Sequence, residues 1–270
     1  MVIKPENIMG KFDGILICSD WDGTLFCNNT VPSPTREAVE YFMSCGGCFA
    51  ITSGRPPEYL RERSHLIKPN TYCICYGGSL VCDIESGEVI RRGYIDEGAF
   101  EVIDKILGSG TDIIRINAHT AKGLIHYTPD EYYSFGKRAT MATDTYKVTL
   151  NCSSDEEGDK LRLFCDSIDS GEYTLARSFV SYLEIMKTEY TKGISAKLLK
   201  ERIGASVLVG MGDYENDIPL FSGCDISFAT ANATDSLKNV ATYVTRATVE
   251  ESAAAEVIEM LEKMIISGAI

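Results

Sequence analysis

The sequence predicts an α/β fold: a doubly wound, mostly parallel Rossmann-like core sheet with an inserted α+β cap. Three observations lead there. Short unbroken apolar runs, "GILICS" (14–19), "CFAIT" (48–52) and "ASVLVGMG" (205–212), read as strands buried on both faces. Helical stretches alternate with them, the order of a parallel sheet. Within an insert from about 92 to 183, "EYTLARS" and "SYLEIM" partly alternate apolar with polar residues, which suits a sheet open to water or to a cleft on one face. The expected division is a core of 1–91 and 184–270 and an insert of 92–183.

Taken in order, "PSPTREAVEYFMSCGG" (32–47) starts a helix at Pro34 and Thr35 and stops it at Gly46-Gly47. Residues 56–65 read as a helix, "YCICY" as a third strand, and "SLVCD" and "EVIRR" as a hairpin. In the insert, "DEGAFEVIDKIL" is helical, "DIIRIN" and "GLIHY" are paired strands, and "PDEYYSFGKR" is a short helix. "YKVTLNC" is a strand, followed by a helix opened by a capping box of Ser154 and Glu157. "EYTLARS" and "SYLEIM" are joined strands. The core then resumes with a helix in "KGISAKLLKERIG", the strand "ASVLVGMG", a short helix in "ENDIPLFSG" and the strand "CDISFA". A helix in "TDSLKNVA" precedes a long amphipathic helix over 249–266.

Composition narrows the partners. The 270 residues are 44% hydrophobic and 24% charged, an ordinary globular profile. No apolar run nears the roughly 20 residues needed to cross a bilayer, and the N-terminus lacks a signal-peptide core. A cytoplasmic protein without a membrane partner is expected, monomeric or dimeric. The net charge of −13 argues against nucleic acid, because phosphate backbones bind Lys/Arg surfaces. Ten cysteines are present, among them Cys45 and Cys48 in a C-x-x-C and Cys73 and Cys75 in a C-x-C. Both sets lie in or beside strand runs, so they read as small buried apolar side chains rather than as a metal or redox site. His65, His119 and His126 match no ligand spacing.

The chemistry gathers at strand ends. "DWDGT" (20–24) places Asp20 and Asp22 one residue apart after a buried strand, where open α/β sheets bind ligands. Such a pair is tolerable if a hard cation neutralises it, and Mg²⁺ takes carboxylates together with phosphate oxygen. "ITSGR" (51–55), Lys192 at a helix start, and "GDYENDIP" (212–219) with Asp213, Asn216 and Asp217 complete a parts list for phosphoryl transfer.

These four motifs, in this order, resemble the haloacid dehalogenase (HAD) superfamily of phosphatases. The insert between the second and third resembles its type IIB cap, and the whole chain resembles the Cof-like subfamily. The resemblance implies a Mg²⁺-dependent phosphatase of small phosphorylated metabolites, sugar phosphates among them. Asp20 would be the nucleophile that forms an aspartyl-phosphate, and Asp22 the general acid and then base. Ser53, Gly54, Lys192, Asn216 and backbone N–H groups around Asp22, Gly23 and Thr24 would hold the phosphoryl group. Asp20, Asp213 and the backbone carbonyl of Asp22 would hold the metal, with Asp217 serving the metal shell or Lys192. Trp21 stands where the family has an aliphatic residue, Ser53 where the subfamily often has Thr, and Tyr76 where it commonly has Asn. Arg115, Lys122, Lys137, Arg138 and Arg177 are the basic candidates in the cap. The alternatives are a phosphomutase with the same cap type and a regulatory module that switches through a phosphorylated Asp.

Overall fold

The computed structural model describes residues 10–134 and 143–270. Its central sheet runs in the order β13-β12-β11-β1-β2. The strands are β1 (Ile15–Ser19), β2 (Cys48–Ile51), β11 (Val207–Gly212), β12 (Ile226–Ala229) and β13 (Tyr243–Val244), all parallel. Every residue of β1 is buried, as its unbroken apolar run requires of a central strand. Helices α1 (Ser33–Ser44) and α9 (Ala253–Ser267) pack Phe42, Val257 and Leu261 into a core with Phe49 and Val209. Helices α6 (Lys192–Ile203) and α7 (Ile218–Gly223) add Leu199 and Leu220 to a second cluster with Leu16 and Leu208. Short helices α2 (Pro57–Glu62) and α8 (Asp235–Lys238) follow β2 and β12. A three-stranded sheet, β3 (Cys73–Cys75), β4 (Leu80–Cys82) and β5 (Val89–Arg92), leans on β2 through a bridge between Thr52 and Ile74.

The insert is antiparallel, in the order β7-β6-β8-β10-β9. It comprises β6 (Ile113–Thr120), β7 (Gly123–Tyr127), β8 (Thr145–Cys152), β9 (Tyr173–Phe179) and β10 (Tyr182–Lys187). Helices α3 (Gly98–Leu107) and α5 (Asp155–Cys165) bring Ile103 and Leu161 onto one face, against Ile116, Val148, Leu150 and Ile185. Short α4 (Pro129–Tyr132) adds Tyr132.

Several sequence expectations need correction. The boundary expected at 183/184 falls inside β10, which pairs with β8 as far as Ile185 and with β9 as far as Lys187, so the insert's sheet runs further. Only half of the expected capping box forms: Ser154 Oγ accepts the N–H of Glu157, while the Glu157 carboxylate turns to Asp112 N and Lys160. The last helix starts at Ala253, because Ser252 adopts φ +72° and breaks the preceding turn. The "PDEYYSFGKR" helix covers Pro129–Tyr132, and part of that stretch lies outside the described residues. Strand β13 was not foreseen.

The chain crosses between core and insert at two adjacent points. Arg91 Nη2 donates to the carbonyl of Glu189 at 2.6 Å, and its guanidinium lies 4.9 Å from the centre of the Tyr190 ring. A Cβ on Gly93 would meet that ring at 2.3 Å, so glycine permits the close approach.

Candidate active site

Asp20 follows β1 directly and is fixed by its own N–H, which donates to Met211 O at 2.9 Å. Lys192, at the first turn of α6, reaches the same strand end. Its Nζ donates to Asp20 Oδ1 and to Asp217 Oδ1, each at 2.6 Å, and the residue is 1% exposed. The loop after β11 supplies the other carboxylates. Asp217 Oδ2 accepts the N–H groups of Asp213 and Tyr214 at 3.1 and 3.4 Å, so both its oxygens are engaged. Asp213 Oδ1 accepts from Thr24 Oγ1 at 3.0 Å. A Cβ on Gly23, where φ is +80°, would come within 2.2 Å of Asp213 Oδ2, so only glycine lets these two loops meet.

Carboxylate oxygens of Asp20, Asp213 and Asp217 lie within 4.8 Å of one another, and no other such cluster of His, Cys, Asp or Glu occurs among the described residues. Burial pushes the Asp20 carboxyl well above its usual range, against the opposing charge of Lys192 and with help from Asp217 and Asp213. Burial and the Asp217 charge push Asp213 up to about 7, although Thr24 and Lys192 oppose them. A divalent cation fits a hard-oxygen donor set under this strain. With both Asp217 oxygens engaged, Asp20 and Asp213 are the best placed to hold it.

Asp22 departs from that cluster. Its carboxylate takes both arms of Arg55, Nε to Oδ2 at 2.9 Å and Nη2 to Oδ1 at 3.1 Å. Sequence reasoning assigned no role to Arg55, although it closes the quoted "ITSGR". The Gly23 N–H, expected as a phosphate donor, is taken by Phe26 O at 3.0 Å. Ser53 is buried on the turn after β2, with its hydroxyl accepting the Arg55 N–H at 3.1 Å and Gly54 between them. Asn216 stands half-buried on the turn that carries Asp217.

The insert roofs this end of the sheet. Arg177, from β9, donates to Glu215 through Nε and Nη2 at 2.8 and 3.0 Å, which ties the roof to the loop of Asp213 and Asp217. Of the other basic candidates, Arg115 is exposed, Lys122 is exposed beside Asp144 at 3.7 Å, and Lys137 and Arg138 lie outside the described residues. Tyr76 stacks on Tyr146 of β8, ring centres 4.4 Å apart, and has φ +50°. Asn tolerates that conformation better than Tyr, so the stacking offsets backbone strain of about 1 kcal/mol. Trp21 is buried and stacks on Phe26. All ten cysteines are free thiols, Cys45 and Cys48 included. No helix among the described residues is long and apolar enough to cross a membrane.

Comparison with known proteins agrees with this architecture. A family model of haloacid dehalogenase-like hydrolases matches residues 17–258. Phosphoglycolate phosphatase 2 of Saccharolobus solfataricus is 24% identical over 257 residues, covering 94% of this chain and 93% of that protein. The structure of BT1666 from Bacteroides thetaiotaomicron matches with a TM-score of 0.72 at 19% identity, over 96% of this chain and 97% of that one. That of the HAD subclass IIB sugar phosphatase BT4131 matches with a TM-score of 0.72 at 18% identity, over 91% and 98%. With its motifs at the strand ends of a parallel sheet and an α+β insert between them, the chain belongs to the haloacid dehalogenase-like hydrolases, as a phosphatase of that family.

Proposed function

We propose that this phosphatase hydrolyses small phosphomonoesters, sugar phosphates among them, through a covalent intermediate on Asp20 with Mg²⁺ as cofactor. The observation that carries this reading is the Lys192 ammonium held at 2.6 Å from both Asp20 and Asp217 beneath a roof of inserted sheet. Lys192 occupies Asp20 Oδ1, which leaves Oδ2 for attack on phosphorus. The bond from phosphorus to the leaving alcohol then breaks, and Asp22 delivers the proton the alcohol needs. In the second step Asp22 takes a proton from water, which attacks the aspartyl-phosphate and frees both Asp20 and inorganic phosphate. Arg55 orients Asp22 through two bonds, while Ser53, Gly54 and Asn216 would hold phosphoryl oxygens. Bound at Asp20, Asp213 and the Asp22 carbonyl, Mg²⁺ would supply positive charge against the phosphoryl oxygens. Asp217 positions Lys192 and the loop.

Metal removal tests this. Excess chelator should stop phosphate release from a phosphomonoester panel, and Mg²⁺ should restore it. A second readout is independent of turnover. Without metal, the folded state keeps the Asp213 proton up to about pH 7, above the unfolded carboxyl. The stability this gives is complete at acid pH and is lost as pH rises through about 7. A bound cation would stand in for that proton, so the Mg²⁺-induced rise in melting temperature should be greater at pH 8 than at pH 6. One pKa unit is about 1.4 kcal/mol, or about 2–4 °C for a chain of this size. Full activity in chelator, or a shift that shrinks as pH rises, would contradict the reading.

A further inference from the structure

The face of the inserted sheet turned toward the catalytic end is polar, and one pair on it is costly. Lys147 of β8 and Glu184 of β10 form an ion pair of 2.7 Å, with the residues only 2% and 4% exposed. Burying two charges costs several kcal/mol per ion, and attraction recovers it only if the remaining lone pairs and protons are satisfied. They are not. Glu184 Oε2 is buried with no hydrogen-bond partner among the described residues. Lys147 donates to Glu184 Oε1, which uses one of its three N–H groups. An apolar pair would serve stability as well or better.

Position accounts for the charges. A Cβ on Gly54 would lie 3.0 Å from Lys147 Nζ and 3.2 Å from Glu184 Oε1, and one on Gly77 would lie 3.5 Å from Glu184 Oε2. The pair therefore rests on the two turns that carry Ser53 and Tyr76. Burial works against the Glu184 charge, yet Lys147 and then Lys192 hold its carboxyl below the usual value. His119 lies opposite Lys147 in the β6–β8 register and bonds Thr149 Oγ1 at 3.0 Å. Burial and the Lys147 charge lower its pKa to about 3, so it adds no charge near neutral pH.

We propose that Lys147 and Glu184 read the leaving alcohol, so that the enzyme selects phosphomonoesters of neutral polyhydroxylated alcohols over those whose alcohol carries a second anionic group. This rests on the phosphatase reading above. A hydroxyl both donates and accepts, so adjacent hydroxyls complement a vacant carboxylate oxygen beside spare ammonium protons. Lysine alone would draw a second anion. Its partner cancels that attraction, and the vacant Oε2 repels a carboxylate or second phosphate. Sites built to bond hydroxyls also discriminate strongly against ligands lacking them, since their buried groups are then left unpaired.

The test separates binding from chemistry. In a chain carrying Asp20→Asn, calorimetry in Mg²⁺ should show glucose 6-phosphate binding at least about tenfold tighter than 2-phosphoglycolate. Adding Glu184→Gln should shrink that ratio by about tenfold or more, weakening the sugar phosphate and strengthening phosphoglycolate as Lys147 loses its opposing charge. If Glu184→Gln fails to fold, Lys147→Met combined with Glu184→Leu replaces the ion pair by apolar residues of similar size. That variant should melt cooperatively and bring the ratio toward one. An unchanged ratio in a folded variant, a native preference for phosphoglycolate, or no binding of glucose 6-phosphate at millimolar concentration would overturn the proposal. Selective binding by a native chain that releases no phosphate from any ester would instead overturn the phosphatase reading and leave the subsite standing.

Discussion

Asp20→Asn should lower the rate of phosphate release by at least about a thousandfold and leave the fold intact. The amide matches the carboxylate in shape and can still present an oxygen to Lys192, so the contact of 2.6 Å has a substitute. It cannot attack phosphorus, and removing a nucleophile from a set of groups that act as a unit forfeits most of their joint effect. Stability should hold or rise. Asp20 sits among Asp213, Asp217 and Asp22, whose charges and whose burial already push its carboxyl upward. Phosphate release by a preparation free of deamidation, read beside a thermal melt, checks both halves. A residual tenth of the native rate would remove Asp20 from the nucleophile's role.

Lys192→Met should damage stability as well as activity. The ammonium lies between two buried carboxylates, and no solvent reaches it. Deleting one partner of a buried ion pair typically costs about 3–5 kcal/mol, because the charge left behind is uncompensated. Here two carboxylates are left, and Asp217 also organises the N–H groups of Asp213 and Tyr214. The variant should recover part of its stability in acid. Without Lys192, the folded carboxyls bind protons more tightly than the unfolded ones, so folding is favoured at low pH and weakened as pH rises. Urea denaturation at pH 5 and pH 8 should show the loss growing toward pH 8, alongside activity at least about a thousandfold down. Native-like stability at pH 8 would mean that the two carboxylates do not depend on this ammonium.

What could be read from the sequence depended on whether a residue's role is local. Asp20, Lys192, Asp213 and Asp217 each follow an apolar strand or open a helix, and the parallel order of those elements already implies that they converge. Arg55 is different. It reaches Asp22 only because β2 lies beside β1, with Ser19 opposite Ile51, and an arginine after Ser-Gly reads as a surface residue. Lys147 and Glu184 look like the solvent side of alternating strands. They become buried only when β8 pairs with β10 and that face turns onto Gly54. Among the cap's basic residues the sequence therefore favoured Lys122, which is exposed at a hairpin tip, over Lys147, which is not. Arg177, another of the cap's basic candidates, clamps Glu215. The misplaced boundary at 183/184 has a similar cause: β10 continues into Met186 and Lys187, and only pairing with β9 marks its end.

The side-by-side crossing of the chain at Arg91, Gly93, Glu189 and Tyr190 bears on how the molecule assembles. Arg91 and Glu189 are 98 residues apart in sequence yet bonded in space. The core cannot finish its sheet until β11 pairs with β1, a contact between distant segments whose loop-closure entropy slows folding. The insert is a continuous stretch with its own apolar cluster and antiparallel neighbours, so its pairings are more local. If it collapses first, it delivers the two halves of the core to one point and shortens the effective loop from about a hundred residues to a few. The roof over the site would then also be the splint on which the catalytic sheet is set, so a substitution that loosens the insert, far from Asp20, would slow folding of the core before it altered any rate of chemistry.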